Sequence, residues 1–219
     1  KAPNYGANLQ AYATWKFIVD CGHDCEIIDI SLKPEGERFP LSRPEYYEKN
    51  KIPLRVQIRL LLRKVLVVLG LKKPSYIPPP ILPAAQKKFD TFNGLIKYSS
   101  HYETLEMLYA CPPQYDLYIT GSDQVWNPTQ HYCLEPFFLT FVKGKKRKLS
   151  YAASIGIEEL RNNEKKQFSE WLSSYEAIAV REKVAKDLLE EVTGRNDIEQ
   201  VIDPTFLLSQ EEWQKFAIE

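Results

Sequence analysis

A surplus of charge of either sign is missing from this chain: 29 Lys and Arg balance 29 Asp and Glu over 219 residues. No overall field therefore draws it to nucleic acid or to an anionic surface, although a local anion site needs only a few placed cations. Cysteine is also scarce. Cys21, Cys25, Cys111 and Cys133 are too scattered for a disulfide scaffold, and Cys21 and Cys25 have no second pair nearby to complete a zinc set. The expectations are no metal and a reducing, cytoplasmic setting. No apolar run reaches the roughly 20 residues that a membrane span requires, and no signal peptide opens the chain. A GxGxxG fingerprint is absent, which removes the case for a nicotinamide cofactor, and GSDQV is not a GxSxG nucleophile elbow. The basic run KGKKRK lacks the interleaved aromatics that would stack bases.

What is present is an ordinary globular composition, 44% hydrophobic and 26% charged, long enough to bury a substantial core. Leu9, Tyr12, Ala13, Lys16 and Phe17 fall near helical spacing, with Asn8 as the expected cap and Gly22 as the stop. CEIIDI, 25–30, reads as a strand. Residues 33–54 read as loop, and LRVQIRLLLRKVLVVLG, 54–70, as an apolar helix carrying Arg55, Arg59 and Arg63 along one side. Such a stripe suits snorkelling at a protein or oligomer contact, and it also suits an interfacial membrane helix. KKPSYIPPPILP, 72–83, is neither regular helix nor central strand, because its prolines remove donors and fix φ.

Downstream the alternation becomes regular. AAQKKFDTFNGLI is helical, and HYETLEMLYA follows with Ser100 and Glu103 spaced as a capping box. YDLYITG is a buried strand, residues 148–153 a second and AIAV, 177–180, a third. NNEKKQFSEWLSSY and REKVAKDLLEEVTG are the intervening helices, the latter closed by Gly194. IEQVID, 198–203, is the last strand, and Ser209 with Glu212 caps a short final helix. This order predicts an α/β fold: a Rossmann-like, mostly parallel sheet with helices on both faces. Crossover handedness then gathers the strand-to-helix loops at one edge, where open α/β sheets bind ligands. The loops concerned are 4–8, 121–127, 154–160, 181–182 and 203–206.

Candidate site residues come from those loops. Asn4, Tyr5, Gly6 and Asn8 sit at a helix start, where free N–H groups can hold a carboxylate or phosphate or simply form a capped turn. In ITGSDQVWNP, Gly121 suggests backbone geometry that a side chain would obstruct. Ser122 and Asp123 are short polar groups just past a strand. Asp123 can cap a helix, orient a sugar hydroxyl or act as a base. Trp126 can stack on a sugar face or close the core. His131 lies eight residues past Asp123 and is the second catalytic candidate, against the plain reading of a hydrogen-bonded loop histidine. Ser154 and Gly156 end the second strand as plausible contacts, with Ala152 and Ala153 allowing close approach. Arg181 follows an apolar strand, where it can clamp an anion bidentately or pair internally with Glu182. Asp203 and Pro204 read as a rigid strand exit.

Taken together, NYGANLQAYA, YDLYITGSDQVWNP, FFLTFV, KLSYAASIG, AIAVREKVAKDLL and VIDPTFLLSQEEW resemble the polysaccharide pyruvyl transferase family, in the family's order. The blocks cover most of the chain apart from about residues 33–100; together they are specific, and singly they are weak. The resemblance implies two Rossmann-like domains facing across a cleft, as in the GT-B glycosyltransferases. Residues 1–219 correspond to the first domain, with its opening strand missing and the second domain absent. The start on a loop and helix, without Met at position 1, fits the same expectation of a fragment.

The implied reaction transfers the enolpyruvyl group of phosphoenolpyruvate to two sugar hydroxyls, giving a pyruvate ketal and phosphate, in glycan or exopolysaccharide biosynthesis. Phosphoenolpyruvate is then a donor substrate, and no cofactor or metal is called for. The resemblance puts Asp123 forward as base or hydroxyl-orienting group and Arg181 as anion clamp, with Asn4, Tyr5, Gly6 and Asn8 lining the cleft. Much of the donor equipment would come from the second domain, so the isolated chain is expected to be inactive. Expected partners are a sugar or glycan acceptor, free or lipid-linked, the second domain and a further copy of the chain. A peripheral position at the inner membrane face would run through residues 54–70. Two other readings stand beside this one: transfer of a different group to a sugar on the same scaffold, and a glycan-binding or assembly module without turnover.

Overall fold

The computed structural model describes residues 4–31, 83–129 and 134–216. The Arg-striped segment 54–70, the proline-rich stretch after it, His131 and Cys133 lie outside the described residues.

Helix α1, Tyr5–Asp20, begins on Asn4, whose side chain accepts the Ala7 N–H. Asn4 is therefore the cap, and the expectation for Asn8 is corrected: Asn8 lies inside the first turn and is buried. Cys21 closes the helix and Gly22 follows at φ +88°, the left-handed region that glycine occupies without a Cβ penalty. CEIIDI does not form a regular strand. It makes two isolated parallel bridges, Ile27 to Tyr98 and Ile30 to Tyr102, with the segment that follows helix α2, Pro83–Asn93. Helix α3, Leu105–Ala110, is capped by Thr104, which accepts the Met107 N–H. The Ser100–Glu103 box therefore does not form the start of this helix.

Among the described residues the sheet contains four strands, all parallel, in the order β1 Leu117–Thr120, β2 Arg147–Ala153, β3 Ala177–Val180 and β4 Glu199–Gln200. The fourth strand is shorter than IEQVID suggested, because pairing to β3 involves only Glu199 and Gln200. Helix α4, Asn162–Leu172, joins β2 to β3, and α5, Lys183–Thr193, joins β3 to β4. Strands laid down in sequence order with right-handed crossovers place both helices on one face, and α4 and α5 pack against each other.

That face holds the main core. Tyr118, Thr120, Ser150 and Ile178 are buried there, in register across the strands. Trp126, Phe138, Phe168, Leu172, Tyr175 and Leu189 complete the cluster. The opposite face, at Leu117, Ile119, Leu149, Tyr151 and Ala179, is only half-buried. A second cluster gathers around Tyr12, Ala13, Ile96 and Leu208, with Trp15, Phe92, Trp213 and Phe216 packed against it. It joins α1 to the 3-10 turn Pro204–Leu207 and to helix α6, Gln210–Gln214. Ser209 and Glu212 form the capping box that their spacing predicts. The described part of the molecule is thus an α/β fold with a parallel four-stranded sheet flanked by helices.

Candidate functional site at the strand exits

All four strands run the same way, so their carboxyl ends share one edge. Backbone hydrogen bonds continue the pairing past the strands and lock the exit loops together. Ser154 N–H donates to the Asp123 carbonyl at 3.0 Å, and Trp126 N–H donates to the Ser154 carbonyl at 3.2 Å. Arg181 N–H reaches the Ala153 carbonyl at 3.1 Å, and Val201 N–H the Val180 carbonyl at 2.9 Å. Ser122, Asp123, Ser154 and Arg181 are therefore brought to one place by main-chain geometry rather than by side-chain accident.

The junction is strained. Asp123 has φ +94° and Ala152 φ +55°, both outside the regions that residues with a Cβ prefer. A register irregularity lies between Ser150 and Ala153, and such bulges re-aim a strand where it ends. Gly121 does not perform the task expected of it. Its φ is not left-handed, and a Cβ there would meet no atom within 4 Å. The unusual backbone belongs to Asp123, and above Gly121 there is open space. Gly156 is the glycine that the site requires. At φ +65° its absent Cβ would come within 2.8 Å of Asn127 Nδ2 and 2.9 Å of Gln124 Cδ. Those two side chains are bonded to each other at 2.9 Å, so the turn 124–127 rests directly on Gly156.

Trp126 does not offer a face to a sugar. It is completely buried, stacked on Phe138 with ring centres 5.0 Å apart, and its Nε1 donates to the Phe137 carbonyl at 3.0 Å. The same carbonyl accepts from Thr120 Oγ1 at 2.8 Å. Trp126 thereby anchors the turn that carries Asp123 to the core. Asp123 itself is exposed, and its Oδ1 accepts the N–H of Gln124 at 2.8 Å.

Arg181 is the hub. Its Nε donates to Glu182 Oε1 at 3.0 Å, and its Nη1 to Asp203 Oδ2 at 3.2 Å and to Ser122 Oγ at 3.3 Å. Three strand exits meet on one guanidinium. Burial works against its charge, but the hydrogen bonds to Glu182 and Asp203 outweigh that and raise its pKa. For Asp203, burial alone pushes the carboxyl up. Bonds from Thr205 N–H and Oγ1, and from Arg181, prevail and hold it below the usual carboxylate range. Asp203 also caps the turn Pro204–Leu207. The sequence marked Asp203 only as a rigid exit; its place after a strand, like that of Arg181, was the available signal.

Asn4, Tyr5 and Gly6 are exposed at the head of α1, with Tyr5 packed on Phe89 at 4.7 Å. They are linked to the other candidates through the packing of α1 on the turn Pro204–Leu207. No hydrogen bond joins them directly to Asp123 or Arg181 among the described residues. Among the described residues, three side-chain atoms are buried without a hydrogen-bonding partner: Asn8 Nδ2, Ser154 Oγ and Glu182 Oε2. Two of them stand at the strand exits, and Asn8 lies in the first turn of α1. Among the described residues no group of His, Cys, Asp and Glu is placed to hold a metal ion, and no helix is long and apolar enough to cross a membrane.

A family model described as polysaccharide pyruvyl transferase matches residues 4–218. No curated protein and no solved structure matches.

Proposed function

This chain belongs to the polysaccharide pyruvyl transferase family, and from that premise we propose that it takes part in transferring the enolpyruvyl group of phosphoenolpyruvate to two hydroxyls of a sugar. The chemistry balances as follows. A proton adds to the donor methylene, which becomes the ketal methyl, and one sugar hydroxyl bonds to the adjacent carbon. The carbon–oxygen bond to phosphate breaks, and the second hydroxyl takes the vacated position. Of the two hydroxyl protons, one offsets the proton delivered to carbon and the other leaves with phosphate. The reaction needs a group that receives a hydroxyl proton, and donors for the charge on phosphate and carboxylate.

In this reading the exit edge faces the acceptor. Asp123, exposed on a strained turn that Trp126 and Gly156 hold in place, receives or orients the hydroxyl proton. Ser122 stands beside it, fixed by Arg181. A second Rossmann-like domain, closing over this edge as in a GT-B arrangement, supplies the donor-binding cations. The acceptor is a glycan or lipid-linked sugar in polysaccharide synthesis, at the cytoplasmic side of the membrane.

The observation that carries the reading is the family match across residues 4–218, which takes in every one of the strand exits. The test is to incubate the protein, together with any domain encoded after Glu219, with phosphoenolpyruvate and a panel of glycosides. Phosphate release with matching ketal formation is expected. Phosphate without ketal, or no product across a broad panel, overturns the proposal.

A further inference from the structure

Away from the strand exits, segments 25–31 and 97–102 run parallel and are fixed to each other by main-chain bonds. Ile27 N–H donates to the Lys97 carbonyl at 2.9 Å, and Ser99 N–H to the Ile27 carbonyl at 3.0 Å. Further along, Tyr102 N–H donates to the Asp29 carbonyl at 2.8 Å, and Ser31 N–H to the Tyr102 carbonyl at 2.9 Å. Side chains alternate along extended backbone, so residues two apart share a side. Ile28, Ile30 and Tyr102 pack against the main core. Asp29, Ser31 and His101 meet on the other side.

Their side chains are arranged in a definite order. Ser31 Oγ lies 3.1 Å from His101 Nε2, and the other ring nitrogen, Nδ1, lies 3.3 Å from Asp29 Oδ2. The Asp29 side chain is 13% exposed and that of His101 47%, so the carboxylate is sheltered while the imidazole is open to a ligand. Asp29 is steadied through its backbone as well, since its N–H donates to Ser99 Oγ at 3.0 Å. A serine and a histidine that only share a surface hydrogen bond need no third group. The carboxylate behind the ring favours the tautomer protonated at Nδ1, which leaves Nε2 to take the hydroxyl proton.

We propose that Ser31 is a nucleophile that accepts the acyl group of a short-chain ester, with His101 as its base and Asp29 as the residue that positions the ring. Ser31 Oγ bonds to the ester carbonyl carbon as its proton passes to His101 Nε2. The bond to the alcohol oxygen then breaks, and the departing alcohol takes that proton. Water attacks the acyl-serine, gives a proton to Nε2 and releases the carboxylic acid, and the proton returns to Oγ. Ester and water become acid and alcohol, and the protein is unchanged. The site lies on the open surface, which suits a short acyl group that asks for no deep pocket. Ser31 N–H is committed to the Tyr102 carbonyl and does not serve the oxyanion, so the acceleration expected is that of base activation, about 10²–10⁴-fold. The inference stands apart from the pyruvyl-transfer reading: none of the three residues belongs to the strand exits, and no readout below uses phosphoenolpyruvate.

The protein is incubated with p-nitrophenyl acetate and, separately, with a biotin-linked fluorophosphonate. Release of p-nitrophenol is expected, together with a single phosphonyl group that peptide mass spectrometry places on Ser31. S31A, which removes one hydroxyl, should abolish the label and the hydrolysis. H101Q should slow both by about 10²–10⁴-fold. D29N should lower kcat and leave KM near that of the parent, as loss of an interaction made only in the transition state does; a merely structural role would not produce that split. S100A, on the neighbouring exposed serine, should keep both activities. Should D29N fail to fold, H101Q, on an exposed side chain, carries the test. No label on Ser31, a label that H101Q leaves at full rate, or hydrolysis that persists in S31A overturns the proposal.

Discussion

Arg181 Nη1 lies 3.2 Å from Asp203 Oδ2, tying the exit of β3 to the exit of β4. The pair is part-buried, and Asp203 is further held by Thr205 through its other oxygen. Its carboxyl is therefore stabilised as the anion in the folded state and titrates below its unfolded value, which lies near 3.9. A carboxyl shifted this way contributes stability above the unfolded pKa and loses it as pH falls through the folded one. D203N should cost about 1 kcal/mol at neutral pH, because the acceptor for Thr205 remains while the charge is gone. The difference from the parent should shrink as pH drops below about 4. Urea midpoints measured from pH 7 down to pH 2 test this; a gap that widens in acid contradicts it.

Gly156 offers a test of loop support. Its φ of +65° is strained for an L residue, and a methyl group there would have to displace the side-chain ends of Asn127 and Gln124. G156A should therefore lose about 1–2 kcal/mol of stability, the scale of a left-handed conformation imposed on an L residue. The turn 124–127 should shift with it, moving Asp123. Thermal unfolding combined with amide shifts for residues 122–127 would show both. A stable variant with unmoved amides would mean that the turn does not rest on Gly156.

Much of the fold was legible because its signals are local. Gly194 closes α5, and Ser209 with Glu212 caps α6, from interactions spanning only a few residues. AIAV becomes β3 without a shifted boundary. The failures share a cause: competition between candidates that only packing decides. Asn4 and Asn8 are both good caps, and burial of Asn8 inside the first turn gives the role to Asn4. CEIIDI has strand composition, yet it finds only two bridge partners. At the site, the edge was predictable from strand order, while the partners of Arg181 come from residues 22 and 59 positions away. Periodicity carries no information on such pairs; the third partner, Glu182, is the neighbour of Arg181 in sequence and was legible for that reason.

Trp126 separates anchoring from recognition. With no exposed surface and its Nε1 bonded to Phe137, it should act through packing alone. W126A should cost about 3–5 kcal/mol, the usual loss for a large buried aromatic. W126F keeps most of the contact with Phe138 and Tyr175 and should lose about 1 kcal/mol, reflecting the hydrogen bond. Neutral glycosides should bind W126F as tightly as the parent. Weakened sugar binding in a fully folded W126F would show that the ring takes part in recognition.

Asp123 poses the sharpest contest between structure and activity. At φ +94° an aspartate is strained, and glycine would occupy the same conformation freely. If the fold alone had chosen this residue, a glycine there would serve better. D123G should therefore be as stable as the parent or more so, by a fraction of a kcal/mol after the entropy that glycine loses on folding. D123N keeps the acceptor for the Gln124 N–H and preserves the turn, but cannot take a proton. For a general base, both variants should lower turnover in the pyruvyl-transfer assay by about 10²–10⁴-fold. Full turnover in a folded D123N would leave Asp123 a turn residue that tolerates its strain for some other reason. A stabilised but inactive D123G would instead mean that the strain is retained for the sake of the carboxylate.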